Sequence, residues 1–150
     1  LTCYSKNGFL QKSFVLPTAL RPAGAIALGA VAGALSRYYG QLGVSHIVTT
    51  TLPLGTLVVN LTGCGAMGLA AGFCLRVHPE VRLLMLTGFM GSYTTFSSYE
   101  LETAHLWAKQ QWGWGFFYWA GSGLLGWLCL ELGSRLARFC MDREIEEKQP

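Results

Sequence analysis

The chain sets long apolar runs between short clusters of charge. Asp, Glu, Lys and Arg are absent from residues 22–36, 38–75, 83–99 and 110–130, and these four stretches hold well over half of the sequence. A helix that crosses a hydrocarbon core needs roughly 20 mainly apolar residues. The pattern therefore predicts four helices, over about residues 23–44, 53–76, 81–108 and 112–138. Continuous apolar runs also argue against a membrane β-barrel, whose strands alternate over ~10 residues. The expected organisation is an amino-terminal leader at 1–21, one four-helix transmembrane domain at 22–138 and a polar tail at 139–150. A signal peptide with its apolar region at 23–35 is the second reading of the first run.

Composition agrees with this pattern. Hydrophobic residues make up 51% of the chain and charged residues only 13%, about half of the ~25% usual in soluble domains. The fold class expected is an all-α membrane protein. Five cysteines (Cys3, Cys64, Cys74, Cys129 and Cys140) include no C-x-x-C pair, and those inside apolar runs read as small packing residues. Trp107, Trp112 and Trp114 surround the turn between the third and fourth helices, where rings with one polar edge suit the headgroup level. His46 and His105 read as loop or interface residues. No nucleic-acid partner is expected.

Charge placement orients the bundle. With the amino terminus inside, the cytoplasmic face carries Lys6, Lys12, Arg21, Arg76, Arg82, Arg135, Arg138, Arg143 and Lys148, against Arg37 and Lys109 outside. That bias favours both termini in the cytoplasm.

Glycine occurs 19 times. Gly29 and Gly33, then Gly68 and Gly72, form G-x-x-x-G steps, and Gly121, Gly123 and Gly126 thin one side of the fourth helix. In lipid, small residues let helix backbones approach closely. The run from Gly121 to Gly126 also matches G-x-G-x-x-G, but the dinucleotide motif needs a preceding strand, and this one lies within an apolar helix. Asn60-Leu61-Thr62 is a glycosylation sequon at membrane depth and is disregarded.

The uncharged polar residues inside the apolar runs carry the chemistry. Thr56 and Asn60, at i and i+4, share one face of the second helix, serving either as interhelical glue or as the lining of a wet cavity. The centre of the third helix, Gly88 to Tyr99, combines two glycines with several Ser, Thr and Tyr hydroxyls. This composition predicts a helix broken at mid-membrane, with a kinked Ser/Thr-rich helix as the alternative. A break frees backbone carbonyls and amides that can hold ions. Beyond it, Phe96 and Tyr99 share one face, and their positive ring edges can meet a small anion. Tyr118 and Ser122 add a polar stripe on the fourth helix, while Arg37 can draw anions into a vestibule.

Three runs, Gly33-Ala34-Leu35-Ser36-Arg37-Tyr38, Gly55-Thr56-Leu57-Val58-Val59-Asn60 and Gly88 through Tyr99, closely resemble the signatures of the Fluc (CrcB-like) fluoride channels. They occur in the right order on a matching four-helix plan, and the resemblance covers about residues 22–135. It implies a dimeric bundle of antiparallel subunits with fluoride-selective pores. It also implies a structural sodium ion at the dimer interface, held by the backbone carbonyls of Gly91 and Thr94. Asn60, Phe96 and Tyr99 are placed along the fluoride path, and Thr56, Tyr118, Ser122, Glu102 and Arg37 are expected on it as well. The implied activity is passive fluoride export across the plasma membrane by a multi-pass protein, without catalysis. Tyr99 departs from the family's usual second Phe, and Ser92 stands where a second Gly is common. The charge bias adds the expectation of a fixed-orientation member of a heterodimer, with a homodimer as the other form. A small multidrug-type exporter is the alternative function, although residues 22–36 lack the carboxylate such a carrier needs. A subunit without a pore is the third.

Overall fold

Four helical passes, the third of them interrupted, make up the computed structural model, which describes residues 16–50, 52–73 and 77–147. Helix α1 spans Leu16–Ile47 and α2 spans Leu54–Phe73. The third pass has two halves. The first, α3, covers residues 79–93: an α-turn at Pro79–Arg82, a π-helical stretch at Leu83–Met90 and a last turn at Gly91–Tyr93. The second, α4, spans Phe96–Ala108, and α5 runs from Trp112 to Glu147. No strand occurs among the described residues.

Helix limits follow backbone preference more than charge. α1 starts ahead of the expected residue 23, with Pro17 in its opening turn, where a missing N–H costs nothing, and it also carries Pro22. α5 continues beyond Arg138 because Met, Arg and Glu keep high helix propensity outside an apolar setting. The expected polar tail is thus helical as far as Glu147. Most of the expected leader, and the end of the second helix at residues 74–76, lie outside the described residues.

The helices pack in two pairs, α1 with α3 and α2 with α5. The G-x-x-x-G steps are the contact points. A Cβ on Gly33 would run into the backbone of Phe89, and one on Gly88 would stand 2.6 Å from the carbonyl oxygen of Ile26. On the other pair, a Cβ on Gly68 would collide with the Leu130 carbonyl and one on Gly72 would lie 2.6 Å from the Ala137 Cβ. Backbones this close leave no room for larger side chains, so van der Waals contact is maximal where lipid supplies no hydrophobic drive.

The polarity of the bundle is inverted relative to a soluble protein. Thr56, Thr95 and Thr103 are buried, while Leu28, Val31, Leu35, Phe116, Phe117, Leu124 and Trp127 face outward. Apolar surface on this scale needs lipid or a partner to cover it. Among the described residues, α2 alone is long and apolar enough to cross a membrane by those two criteria. α1 is diluted by Arg21 and Arg37, and the third pass is interrupted.

Candidate functional site

The break falls at Thr94 and Thr95, both extended, with φ −80° and ψ 157° at Thr94 and φ −146° and ψ 119° at Thr95. Asn60 repairs it from α2. Its Nδ2 donates to the Thr95 carbonyl at 2.9 Å, and the Thr95 N–H donates to its Oδ1 at 2.8 Å. The amide side chain therefore gives the Thr95 N–H the acceptor that the break removes, and adds a donor to the Thr95 carbonyl, which as the cap of α4 already accepts the first bond of the renewed helix. Thr95 then caps α4, its Oγ1 accepting from the Ser98 N–H at 3.3 Å. Thr95 was not singled out from sequence. A Thr three residues before a Ser at the start of a renewed helix was the available signal.

Beside the break lies a cavity of about 340 Å³, lined by Asn60, Thr95, Phe96, Tyr99 and Ser122 among others. No charged residue lines it. The Ser122 Oγ is buried without a hydrogen-bond partner. The Asn60 amide has two N–H donors and spends one on Thr95, so a second is available to a guest. Phe96 and Tyr99 stand with ring centroids 5.7 Å apart, tilted 46°, and so form the aromatic pair expected from their spacing. Their surroundings differ sharply. Phe96 is 73% exposed on the open face of the bundle, whereas Tyr99 is 8% exposed and its hydroxyl donates to the Trp119 carbonyl. The hydroxyl that distinguishes Tyr99 from a Phe is therefore engaged by α5.

A second cavity of about 390 Å³ includes Tyr38, Gln41, Ser45, Thr56, Ser98 and Glu102 in its wall. Here the Thr56 hydroxyl donates to Glu102 Oε1 at 2.6 Å and the Tyr118 hydroxyl donates to Oε2 at 2.8 Å. Thr56 and Asn60 share a helix face but serve different cavities. Tyr118 connects the two regions, since its ring lies 5.6 Å from that of Tyr99. Arg37, half-buried on α1, lines neither cavity and is not brought into the group.

At Ser92 the backbone is helical, and Gln110 is the one described non-glycine residue with positive φ. The substitution of Ser for Gly there carries no backbone strain. Gly91 has helical φ −63° and ψ −27°. Its carbonyl would ordinarily accept from the Thr95 N–H four residues on, but that donor is given to Asn60.

Comparison with known proteins identifies the family. Residues 24–134 match the family described as CrcB-like protein, Camphor Resistance (CrcB). A protein of Synechococcus sp. (strain JA-2-3B'a(2-13)) named "Fluoride-specific ion channel FluC" is 48% identical over 122 residues, covering 79% of this chain and 94% of the relative. Proteins of the same name from Trichormus variabilis and Synechocystis sp. are 45% and 42% identical, covering 83% and 82% of this chain and 93% and 97% of their own lengths. With a family match across most of its helices and relatives aligned almost end to end, the chain is a membrane protein of the CrcB-like family.

Proposed function

We propose that this chain conducts fluoride passively across the plasma membrane, lowering fluoride inside the cell, as one subunit of a dimeric, multi-pass channel that catalyses no reaction. The observation that carries the reading is the uncharged cavity at the helix break. It combines an amide N–H, a buried hydroxyl without a partner and two aromatic edges.

Fluoride is small and holds its hydration shell strongly, so a pore must replace that shell with donors placed close together. Asn60 and Ser122 provide such donors, and the ring edges of Phe96 and Tyr99 add weak positive potential without a fixed charge. A full positive charge in this cavity would hold the anion too tightly to release it. The Tyr118 hydroxyl, Thr56 and Glu102 form the adjoining polar wall, and Arg37 supplies a more distant attraction. The relatives' name, fluoride-specific ion channel, accords with this chemistry.

A second subunit completes the assembly. Phe96 belongs to the conducting face yet is largely exposed on a single chain, so a partner surface must close over it. An antiparallel homodimer or a heterodimer would serve, and the bias of Arg and Lys toward one face favours the heterodimer. The carbonyls of Gly91 and Thr94 suit a sodium ion, since hard cations take oxygen ligands and the break withholds from Gly91 its normal helical donor. These two oxygens, with a matching pair from the second subunit, would hold sodium where it ties the two breaks together.

Purified protein in liposomes loaded with potassium fluoride tests the reading. On addition of a potassium carrier, a fluoride electrode should record rapid efflux, while chloride-loaded vesicles stay tight. Equal chloride leakage, or no fluoride release, would overturn it.

A further inference from the structure

Four hydrogen-bonding side chains, one from each of α1, α2, α4 and α5, form a continuous line across the bundle. Gln41 Nε2 donates to Thr56 Oγ1 at 3.0 Å, Thr56 Oγ1 donates to Glu102 Oε1 at 2.6 Å, and Tyr118 donates to Glu102 Oε2 at 2.8 Å. The last three belong to the polar wall already described. Gln41 was assigned no role by its sequence or by that description.

We propose that Gln41 is a positioning residue that holds the Glu102 carboxylate in place by fixing the direction of the Thr56 hydroxyl, an inference that rests on the fluoride-conducting reading. Proton counting carries it. A threonine hydroxyl has one proton and two lone pairs. If Thr56 gives its proton to Glu102, it can only accept from Gln41, and the Gln41 amide must present its N–H. With that donor in place the hydroxyl cannot turn away. The alternative available to a free threonine hydroxyl is the carbonyl one turn back on its own helix, a common choice for this residue type.

Packing holds Gln41 to this task. A Cβ on Gly55 would lie 3.1 Å from the Gln41 carbonyl oxygen and 3.2 Å from its Cα, so the glycine beside Thr56 allows α1 to come this close. Thr56 is 3% exposed, so its hydroxyl is met chiefly by these side chains. Gln41, Thr56 and Glu102 all line the second cavity. Without Gln41, Glu102 loses the donor on one oxygen and swings as a mobile negative charge in the space an anion must cross.

The test is a double-mutant cycle on fluoride efflux from liposomes, using Gln41→Met, Thr56→Val and the pair. Gln41→Met should lower the efflux rate about three- to tenfold, the scale of one charge-assisted hydrogen bond. The double variant should be no slower than Thr56→Val alone, because Gln41 acts only through that hydroxyl. Multiplying losses, or undiminished flux in Gln41→Met, would overturn the assignment. If Gln41→Met fails to assemble, Gln41→Leu takes its place in the cycle, since it too is uncharged and lacks the N–H donor, and it gives the same predicted outcome. The wild-type protein separates the two levels: absence of fluoride flux there defeats the conducting reading, whereas normal wild-type flux with an unaffected Gln41 variant defeats this inference alone.

Discussion

At the scale of single residues, Asn60 is the most heavily used polar group. It bonds both backbone groups of Thr95 and still has one donor for the cavity. Asn60→Ala would strand the Thr95 N–H at the break, at a cost of about 1–3 kcal/mol for a buried group without a partner. The variant should therefore melt well below the wild type in detergent and carry little fluoride; an unchanged melting temperature would show that the break is held by something else. Tyr99 makes the opposite case. Its ring faces the cavity while its hydroxyl is tied to Trp119, so Tyr99→Phe should leave efflux within about twofold and lower stability by roughly 0.5–1.5 kcal/mol, the net worth of one hydrogen bond. A large change in flux would mean instead that the hydroxyl meets the ion. Both roles were only half legible beforehand. Residue type and helical spacing selected Asn60 and Tyr99, but their partners lie 35 and 20 positions away, a separation over which periodicity carries no information.

Among the helical elements, interruption and termination repay separate attention. The third pass stops where Thr94 and Thr95 turn extended and restarts through the Thr95 cap. Gly, Ser and Thr concentrate there, and their weak helix propensity made the break visible in advance. Its register was less visible, because the π-helical stretch at Leu83–Met90 arises in an apolar segment with no local signal. α4 ends in a Schellman turn. The Gln110 N–H donates to the Trp107 carbonyl at 2.9 Å, the Gln111 N–H donates to the Leu106 carbonyl at 3.0 Å, and Gln110 takes φ 59°. A side chain there is mildly strained, and glycine is the residue such a turn favours. Gln110→Gly should raise stability by up to about 1 kcal/mol, after allowing for the greater entropy of the unfolded glycine chain. Thermal unfolding in detergent measures this directly, and a drop would show that the Gln110 side chain contributes contacts that outweigh its strain.

Considered as a whole molecule, the bundle carries many large apolar side chains outward and buries Thr56, Thr95 and Thr103. Lipid accounts for much of that surface, and the proposed second subunit for the face bearing Phe96. If sodium ties the subunits together through Gly91 and Thr94, replacing sodium with a bulky organic cation during purification should shift the protein from dimer to monomer by light scattering. Readdition of sodium should restore the dimer. A dimer indifferent to the cation would remove the ion from the assembly. Close helix contacts at Gly33, Gly68 and Gly88 belong to this scale as well, because each glycine matters only for the backbone that another helix brings against it.

The sequence by itself determined the number of helices, the existence of a break and the lack of charge in the apolar runs that surround it. Each of these follows from local composition: charge-free length sets the spans, and poor helix formers set the interruption. The place of Arg37 near a signature motif did not show that it lines neither cavity. Tertiary structure alone decided that Asn60 closes the break, that Thr56 and Asn60 serve separate cavities, and that Gln41 reaches Thr56 across a gap opened by Gly55. Such pairings depend on how helices rotate and approach one another. Packing geometry sets that, and no periodicity within a single helix encodes it.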